Sequence, residues 1–458
     1  MAIVLSFTSL CLLLVAGKLL RVRIRLLQKL YLPAAVVGGL LGLILIQSLG
    51  KLLPAAVYAG WDKLPGFLIN ICFACLFLGV RIPKLSKIWQ QSGPQLAYGQ
   101  IVAWGQYVVG IGLALILITP LFKIPAYFGI IIPVGFEGGH GTASGLAEQF
   151  SVYGWPEGRD FAMTSATLGI ISAIISGTWL INRAVRKGFT RQLKRIEDIP
   201  ENNVIGIYDP DEQPSAGRQT VSAGSVDSFA LHIAIVGLAV FIGYAFKLGL
   251  TSLESLFPAM QKNGILRSFP LFPLSMVGGL LIQLFISRVM KMPHILDRET
   301  LQRISGTSLD FLIVSAVAMI NLSMISQNIL PLLIIVVAGI LWNIGCVLFF
   351  ARHLLPDAWF ERAIAEMGQS MGVTATGLLL LRVVDPEQKT AAYPAFGYKQ
   401  LLHEPIMGGG IWTSVAFPLC ILAGPVTVFL IACSAIGIWL LVWLLFFRKN
   451  VAASKSTK

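Results

Sequence analysis

Apolar stretches of about 20 residues follow one another along this chain, separated by short polar segments. Eleven of them, at about 3–20, 31–49, 64–81, 97–122, 161–182, 227–247, 269–290, 308–326, 330–351, 396–420 and 425–447, predict helices. Each is roughly long enough to cross a ~30 Å hydrocarbon core. One longer polar stretch, 183–226, scatters Asp, Glu, Pro and Ser with no apolar period and predicts a solvent-exposed linker. The first apolar run, from Ile3 to Gly17, is followed rather than preceded by basic residues. That order predicts a retained first helix instead of a secretory signal.

The pattern repeats. Pro33-Ala34-Ala35-Val36-Val37-Gly38-Gly39-Leu40-Leu41 is echoed 240 residues on by Pro273-Leu274-Ser275-Met276-Val277-Gly278-Gly279-Leu280-Leu281. Phe67-Leu68-Ile69 returns as Phe311-Leu312-Ile313, and Thr142-Ala143-Ser144-Gly145-Leu146 returns as Thr374-Ala375-Thr376-Gly377-Leu378. Five crossings lead from the Pro33 helix to its counterpart, and an odd number reverses the direction of the second copy. The expected fold is an all-α polytopic membrane protein of two inverted-topology repeats. Each repeat has about five transmembrane helices and a re-entrant loop. The expected divisions are a first repeat at 1–182, a cytoplasmic linker at 183–226, an inverted repeat at 227–422, and an extra helix and tail at 423–458.

Composition agrees with the pattern. Of 458 residues, 56% are hydrophobic and 12% charged, against about 25% charged in a soluble protein. The net charge of +13 is gathered in alternate loops. These carry Lys18, Arg21, Arg23, Arg25 and Lys29, then Arg81, Lys84 and Lys87, then Arg183, Arg186, Lys187, Arg191, Lys194 and Arg195. The series continues with Arg288, Lys291, Arg298 and Arg303 and ends at Arg448 and Lys449, while the intervening loops hold little beyond Lys51, Lys63, Lys123, Arg159, Lys262 and Arg267. By the positive-inside rule the linker and C-terminus are cytoplasmic and the N-terminus is outside. No basic face with interleaved aromatics stands outside those loops, so the charge does not point to nucleic acid. The six cysteines lie in apolar segments, and the Cys72/Cys75 pair has no second ligand pair to make a metal site.

The helical pattern fails at Glu137-Gly138-Gly139-His140-Gly141-Thr142-Ala143-Ser144-Gly145, which has four glycines in nine residues. Each Gly costs a helix interior about 1 kcal/mol relative to Ala. In lipid, irregular backbone survives only where protein or a water-filled cavity covers it. A re-entrant loop is expected here, and a second at Gly368-Gln369-Ser370-Met371-Gly372-Val373-Thr374-Ala375-Thr376-Gly377, entering from opposite faces. Glycine lets backbone groups approach a ligand. Helix N-termini after the glycines offer N–H groups to an anion, and the Thr142, Ser144, Thr374 and Thr376 hydroxyls offer oxygen to a cation. The expected substrate-binding residues are Gly138, Gly139, His140, Gly141, Thr142, Ser144, Gln369, Ser370, Gly372, Thr374 and Thr376. Glu137, Asn321, His403 and Glu404 are weaker candidates for ion coupling, since ionisable groups at membrane depth usually serve transport. Asp310 is read as sitting at a helix start.

Taken together, Pro33 with Gly38-Gly39, the Gly138-Gly139-His140-Gly141-Thr142 loop and the Gly/Thr-rich second loop resemble the bacterial sodium/glutamate symporter family, along nearly the whole chain. The resemblance implies two inverted halves, loops that form the translocation site, and sodium-coupled uptake of glutamate. It implies Na+ as the coupling ion with no other cofactor, Thr142 and Thr374 being candidate ligands. The second loop departs from the family's G-x-G-x-G-A-T-P-T, because the middle glycine and the proline are replaced. Lys399, His403 and Glu404 stand where the family is mostly apolar, and an eleventh helix is appended.

The expected function is therefore sodium-coupled symport of glutamate or a related small carboxylate across the cytoplasmic membrane by alternating access. A homodimer is suggested by analogy with related transporters. Proton coupling through His403 and Glu404 is the alternative. An intramembrane enzyme is unsupported: no GxSxG element accompanies His140 and Ser144, and His403-Glu404 lacks the second His of HExxH. A transporter-derived sensor would need a cytoplasmic domain that the short linker does not provide.

Overall fold

The computed structural model describes residues 2–29, 32–50, 52–80, 85–191, 207, 211, 213, 215–222, 224–256, 266–267, 269–322, 326, 328–385, 389–449 and 451. Lys51, Arg81, Lys84, Lys194, Arg195, Lys262 and about half of the 183–226 linker lie outside these. Every regular element among the described residues is helical, and eight of the helices are long and apolar enough to cross a membrane.

The helices fall into two groups. The first contains α1 (Ala2–Arg23), α2 (Ala34–Leu49) and α3 (Leu64–Ala74) with α9 (Ser228–Ser255), α10 (Leu271–Leu284) and α11 (Arg298–Ala318). Within it α1 packs on α2, α9 on α10, α2 on α11, and α3 on both α10 and α11. The paired glycines make these contacts. A Cβ on Gly38 would meet the Leu13 carbonyl of α1, and one on Gly278 the Ala239 carbonyl of α9. A Cβ on Gly39 would meet Val317 of α11, and one on Gly279 the Ala74 carbonyl of α3. The first glycine of each pair thus seats the preceding helix and the second seats a helix from the other half of the chain.

The second group holds α4 (Leu85–Leu113), the short helices α5 (Ile131–Phe136), α6 (Gly139–Gly145) and α7 (Ala147–Val152), α8 (Gly158–Arg186), α12 (Ile329–Gly345), α13 (Trp359–Val384), α14 (Ala392–His403), α15 (Ile411–Leu422) and α16 (Pro425–Phe446). Helices α4 and α12 both run on into a π turn, at Ala114–Ile118 and Cys346–Phe350. The two groups meet mainly where α3 and α11 pack on α6.

Two segments fold back on themselves. In the first, the Tyr127 and Trp155 rings lie 5.0 Å apart and Phe150 lies 5.4 Å from Trp155, so the chain that leaves through α5 returns through α6 and α7. In the second, α13 breaks at Gly372 (φ −153°, ψ 30°) and Val373 (φ 61°, ψ 173°). A Cβ on Gly368 would lie 2.8 Å from the Gly377 Cα. Nine residues of straight helix would separate them by about 13 Å. The two arms of α13 are therefore antiparallel and cross where both residues are glycine. Although α13 is long enough to span a membrane by length alone, this contact makes it a helical hairpin.

Two expectations need correction. The apolar run 396–420 is not one helix: it is split into α14 and α15 at Gly408–Gly410, with Gly409 at φ +87°. Hydropathy hid the three consecutive glycines. Asp310 is not at a helix start, because Asp297 caps α11 by accepting from the Thr300 N–H at 2.8 Å, thirteen positions earlier in the chain.

The surface is inverted relative to a soluble protein. Large apolar side chains such as Leu12, Phe241 and Leu445 on α1, α9 and α16 are exposed, whereas Glu366, Lys399 and His403 are fully buried. Exposed apolar belts over a polar interior fit a lipid solvent. The chain is a multi-pass membrane protein.

Candidate functional site

The tips of the two hairpins touch. Gly139 has φ +69°, which a side chain rarely adopts, and a Cβ there would run into Val373 Cγ1. Beside this contact the Gln369 amide donates to Glu137 Oε2 at 2.7 Å. The third glycine break joins them, since a Cβ on Gly409 would strike the Thr142 hydroxyl. Three interruptions of helix thus converge at one place. Irregular backbone at membrane depth is tolerated only in such protein-covered positions.

A cavity of about 430 Å³ lies between the hairpin tips and the other helix group. The tips supply Glu137, Gly138, His140 and Gly141, then Gln369, Val373 and Thr374. Helix α3 supplies Ile69, Cys72 and Phe73, with Cys75 just after its end, and α11 supplies Arg298, Gln302, Ser305, Leu309 and Ile313. Glu404 and Gly408 complete the wall from the α14 side. Of the sequence-predicted residues, Gly138, His140, Gly141, Gln369, Thr374, Glu137 and Glu404 line this cavity. Gly139, Thr142, Ser144, Ser370, Gly372, Thr376 and His403 stand behind its wall. Asn321 is exposed beyond the end of α11 and does not line it.

Hydrogen bonds fix the polar groups. The Thr167 hydroxyl donates to the Met163 carbonyl at 3.1 Å and accepts from His140 Nε2 at 2.9 Å. Ser144 faces Met163 Sδ at 3.3 Å, a weak contact. Thr374 donates its hydroxyl to Glu404 Oε1, which also takes Gln400 Nε2 at 3.2 Å. The Ser370 carbonyl accepts from Gln106 Nε2 at 2.6 Å. The Thr142 hydroxyl is buried and has no hydrogen-bond partner among the described residues.

A buried chain of polar groups backs the cavity. Trp104 donates its indole N–H to Gln100 Oε1 at 2.9 Å. An indole only donates, so the Gln100 amide NH2 faces His403 Nδ1, 3.2 Å away. That leaves the proton of His403 on Nε2, aimed at Glu137 Oε1 at 3.2 Å. From the other direction, Lys399 Nζ donates to Glu366 Oε1 at 2.5 Å and to Gln369 Oε1 at 3.0 Å. Gln95 Nε2 donates to Glu366 Oε2 at 2.8 Å. Gln369 therefore holds a carboxylate on one side and an ammonium on the other.

The chain matches the sodium/glutamate symporter family over residues 1–383. It belongs to that family. No curated protein and no solved structure matches it. Sodium and glutamate are therefore the ion and substrate of the symporter's family. The first hairpin and all of α13 but Val384 lie within the matched residues, while Lys399, His403 and Glu404 lie beyond them.

Several groups at this cavity escaped the sequence. Gln95 and Gln100 lie in a long apolar helix, where isolated amides usually serve packing. The recurrence of glutamine along α4, at Gln95, Gln100 and Gln106 after Gln90 and Gln91, was the available signal. Arg298 was counted as a loop charge. In the structure its Nη1 donates to the carbonyls of Cys75, Leu76 and Leu78 at 2.7, 3.2 and 2.9 Å, and its guanidinium lines the cavity. Glu366 stood three residues before Gln369 at helical spacing and was overlooked.

Proposed function

We propose that the chain is a sodium-coupled symporter of glutamate or a related small carboxylate, working by alternating access across the cytoplasmic membrane. The observation that carries this reading is the cavity, walled on one side by both hairpin tips and on the other by α3 and α11. Two inverted repeats, 1–182 and 227–422, account for the matching roles of Gly38-Gly39 and Gly278-Gly279 and for hairpins at equivalent places in each half. The linker 183–226 and the C-terminus are cytoplasmic, the N-terminus is outside, and 423–458 is an addition.

In this reading Arg298 faces the substrate carboxylate, and the helical arm starting after Val373 turns its free N–H groups toward the same space. Glu137 and Glu404 also line the cavity, so an anion enters only with compensating positive charge. Sodium supplies it, and the unpartnered Thr142 hydroxyl and Thr374 are candidate oxygens. Each net positive charge carried inward gains about 2.3 kcal/mol per 100 mV of membrane potential. The group bearing the hairpins moves against the α1–α3/α9–α11 group, with α6 as the sliding contact.

A second reading has a specific observation behind it. The contact between His403 Nε2 and Glu137 Oε1 puts a proton between an imidazole and a carboxylate at the cavity wall. Protons would then replace sodium as the coupling ion. Uptake of labelled glutamate into proteoliposomes under an imposed sodium gradient, with a proton gradient as the comparison, separates the two. Sodium-driven accumulation that is lost in Gly141→Trp supports the first reading and its site. Accumulation driven by protons alone supports the second. Sodium-driven uptake of another carboxylate keeps the mechanism and changes the substrate.

A further inference from the structure

Lys399 is a lysine with no exposed surface. Its ammonium is fully buried on α14, 2.5 Å from Glu366 Oε1 and 3.0 Å from Gln369 Oε1. Carboxylate and carbonyl oxygens are hard donors of the type that small free cations use. The carboxylate is also held from behind, because Gln95 donates to its second oxygen at 2.8 Å. Helix α4 closes over the pair at Gly99, where a Cβ would lie 2.6 Å from Lys399 Cε and 2.8 Å from Glu366 Cδ. A buried carboxylate so arranged demands positive charge, and here the chain itself provides it.

We propose that the Lys399 ammonium is a tethered cation filling an oxygen-lined site made by Glu366 and Gln369. Removing its side chain opens that site to a free monovalent cation such as sodium and adds one cation to each transport cycle.

The site communicates directly with the cavity. Gln369 uses its carbonyl for the ammonium and its NH2 for Glu137, which lines the cavity 2.7 Å away. A cation at this point therefore fixes which way the Gln369 amide faces. A tethered cation is never exchanged with either solution, so it aligns the hairpin tips without drawing on an ion gradient. Each coupled charge given up lowers the limiting accumulation by about 50-fold per 100 mV. Position 399 lies beyond the family match at 1–383, while Glu366 and Gln369 lie within it. The consequence for stoichiometry rests on the reading of the chain as a cation-coupled symporter, whereas cation binding at the site does not.

The test compares the wild type, Lys399→Ala and the double variant Lys399→Ala/Glu366→Gln, each purified in sodium chloride or choline chloride. Thermal unfolding is read first, because it requires no transport. Lys399→Ala is expected to show a larger sodium-dependent rise in Tm than the wild type. The double variant, which loses the same packing but carries no carboxylate, is expected to show no gain. Recovery of folded Lys399→Ala in sodium but not in choline supports the site equally. Reversal potentials in proteoliposomes then read the charge carried per substrate, expected to rise by one in Lys399→Ala. A Lys399→Ala protein that folds with wild-type sodium response, or one recovered in neither salt, overturns the proposal. A sodium-dependent Tm gain without any sodium-driven uptake keeps the site and removes the symport reading instead.

Discussion

The Gln369 amide donates to Glu137 at 2.7 Å and so ties the tip of one hairpin to the tip of the other, across 232 residues of sequence. The bond is charge-assisted and fully buried, and it borders the cavity. Gln369→Leu keeps most of the volume but leaves Glu137 short of a donor and Lys399 short of an acceptor. A hydrogen bond to a charged group contributes on the order of 1.5–3 kcal/mol. We expect a lower Tm in detergent and uptake reduced about 10-fold or more. A Gln369→Leu protein with wild-type Tm and uptake would show that the tips are held by packing alone.

The break in α13 stores strain at Val373. A β-branched residue at φ 61°, ψ 173° is outside the regions that side chains tolerate, at a cost of about 1–3 kcal/mol. Ala at this position keeps the strain and loses packing, whereas Gly loses packing but releases the strain. Val373→Gly is therefore expected to be more stable than Val373→Ala. At an ordinary helix position the order is the reverse by about 1 kcal/mol. Thermal unfolding of the two variants side by side decides it; an Ala variant that outlasts the Gly variant would mean the backbone there is relaxed.

The elements that were legible in the sequence are those whose signal is local. The Pro33 and Pro273 helices announced themselves by a nine-residue pattern, and the Gly138–Gly145 segment by its glycine density. What distance in sequence separates was not legible. His403 and Glu404 stood out as charges, but nothing near them pointed to Glu137 as the partner of one and Thr374 of the other. Lys399 was visible as an oddity, and its site was not, because Glu366 and Gln369 lie on another helix and Gln95 on a third. The α14/α15 break was missed for the opposite reason: a long apolar average concealed Gly408–Gly410. Arg298 obeyed the loop-charge pattern so well that its place in the cavity wall went unread.

The paired glycines predict unequal costs. A Cβ on Gly279 meets the backbone carbonyl of Ala74, which cannot move without shifting α3. A Cβ on Gly39 would lie 2.7 Å from Val317 Cβ, a less severe approach than the 2.2 Å between a Cβ on Gly279 and the Ala74 carbonyl oxygen. Overpacking of a tight contact costs about 1–3 kcal/mol. Gly279→Ala is expected at or above the upper end and Gly39→Ala toward the lower. Measured Tm values in the reverse order would mean that α3 and α10 are not held by this contact.

Asp297 gives the fold a pH dependence outside the membrane-spanning segments. Burial acts against its charged form, but hydrogen bonds from the Thr300 N–H and hydroxyl and from the Arg218 backbone outweigh it, with His232 contributing. The carboxyl is therefore held below the usual carboxylate value. A group whose folded pKa is depressed contributes stability that is present above its unfolded pKa of about 3.9 and lost as pH falls through the folded value. The cap on α11 is thus intact at neutral pH and fails in acid. Asp297→Ala should cost about 1 kcal/mol near neutrality, as the loss of an N-cap does. Its Tm deficit against the wild type should then shrink as the pH is lowered from about 6 to about 3. A deficit that stays constant across that range would show that the carboxylate's charge is not what holds the start of α11 in place.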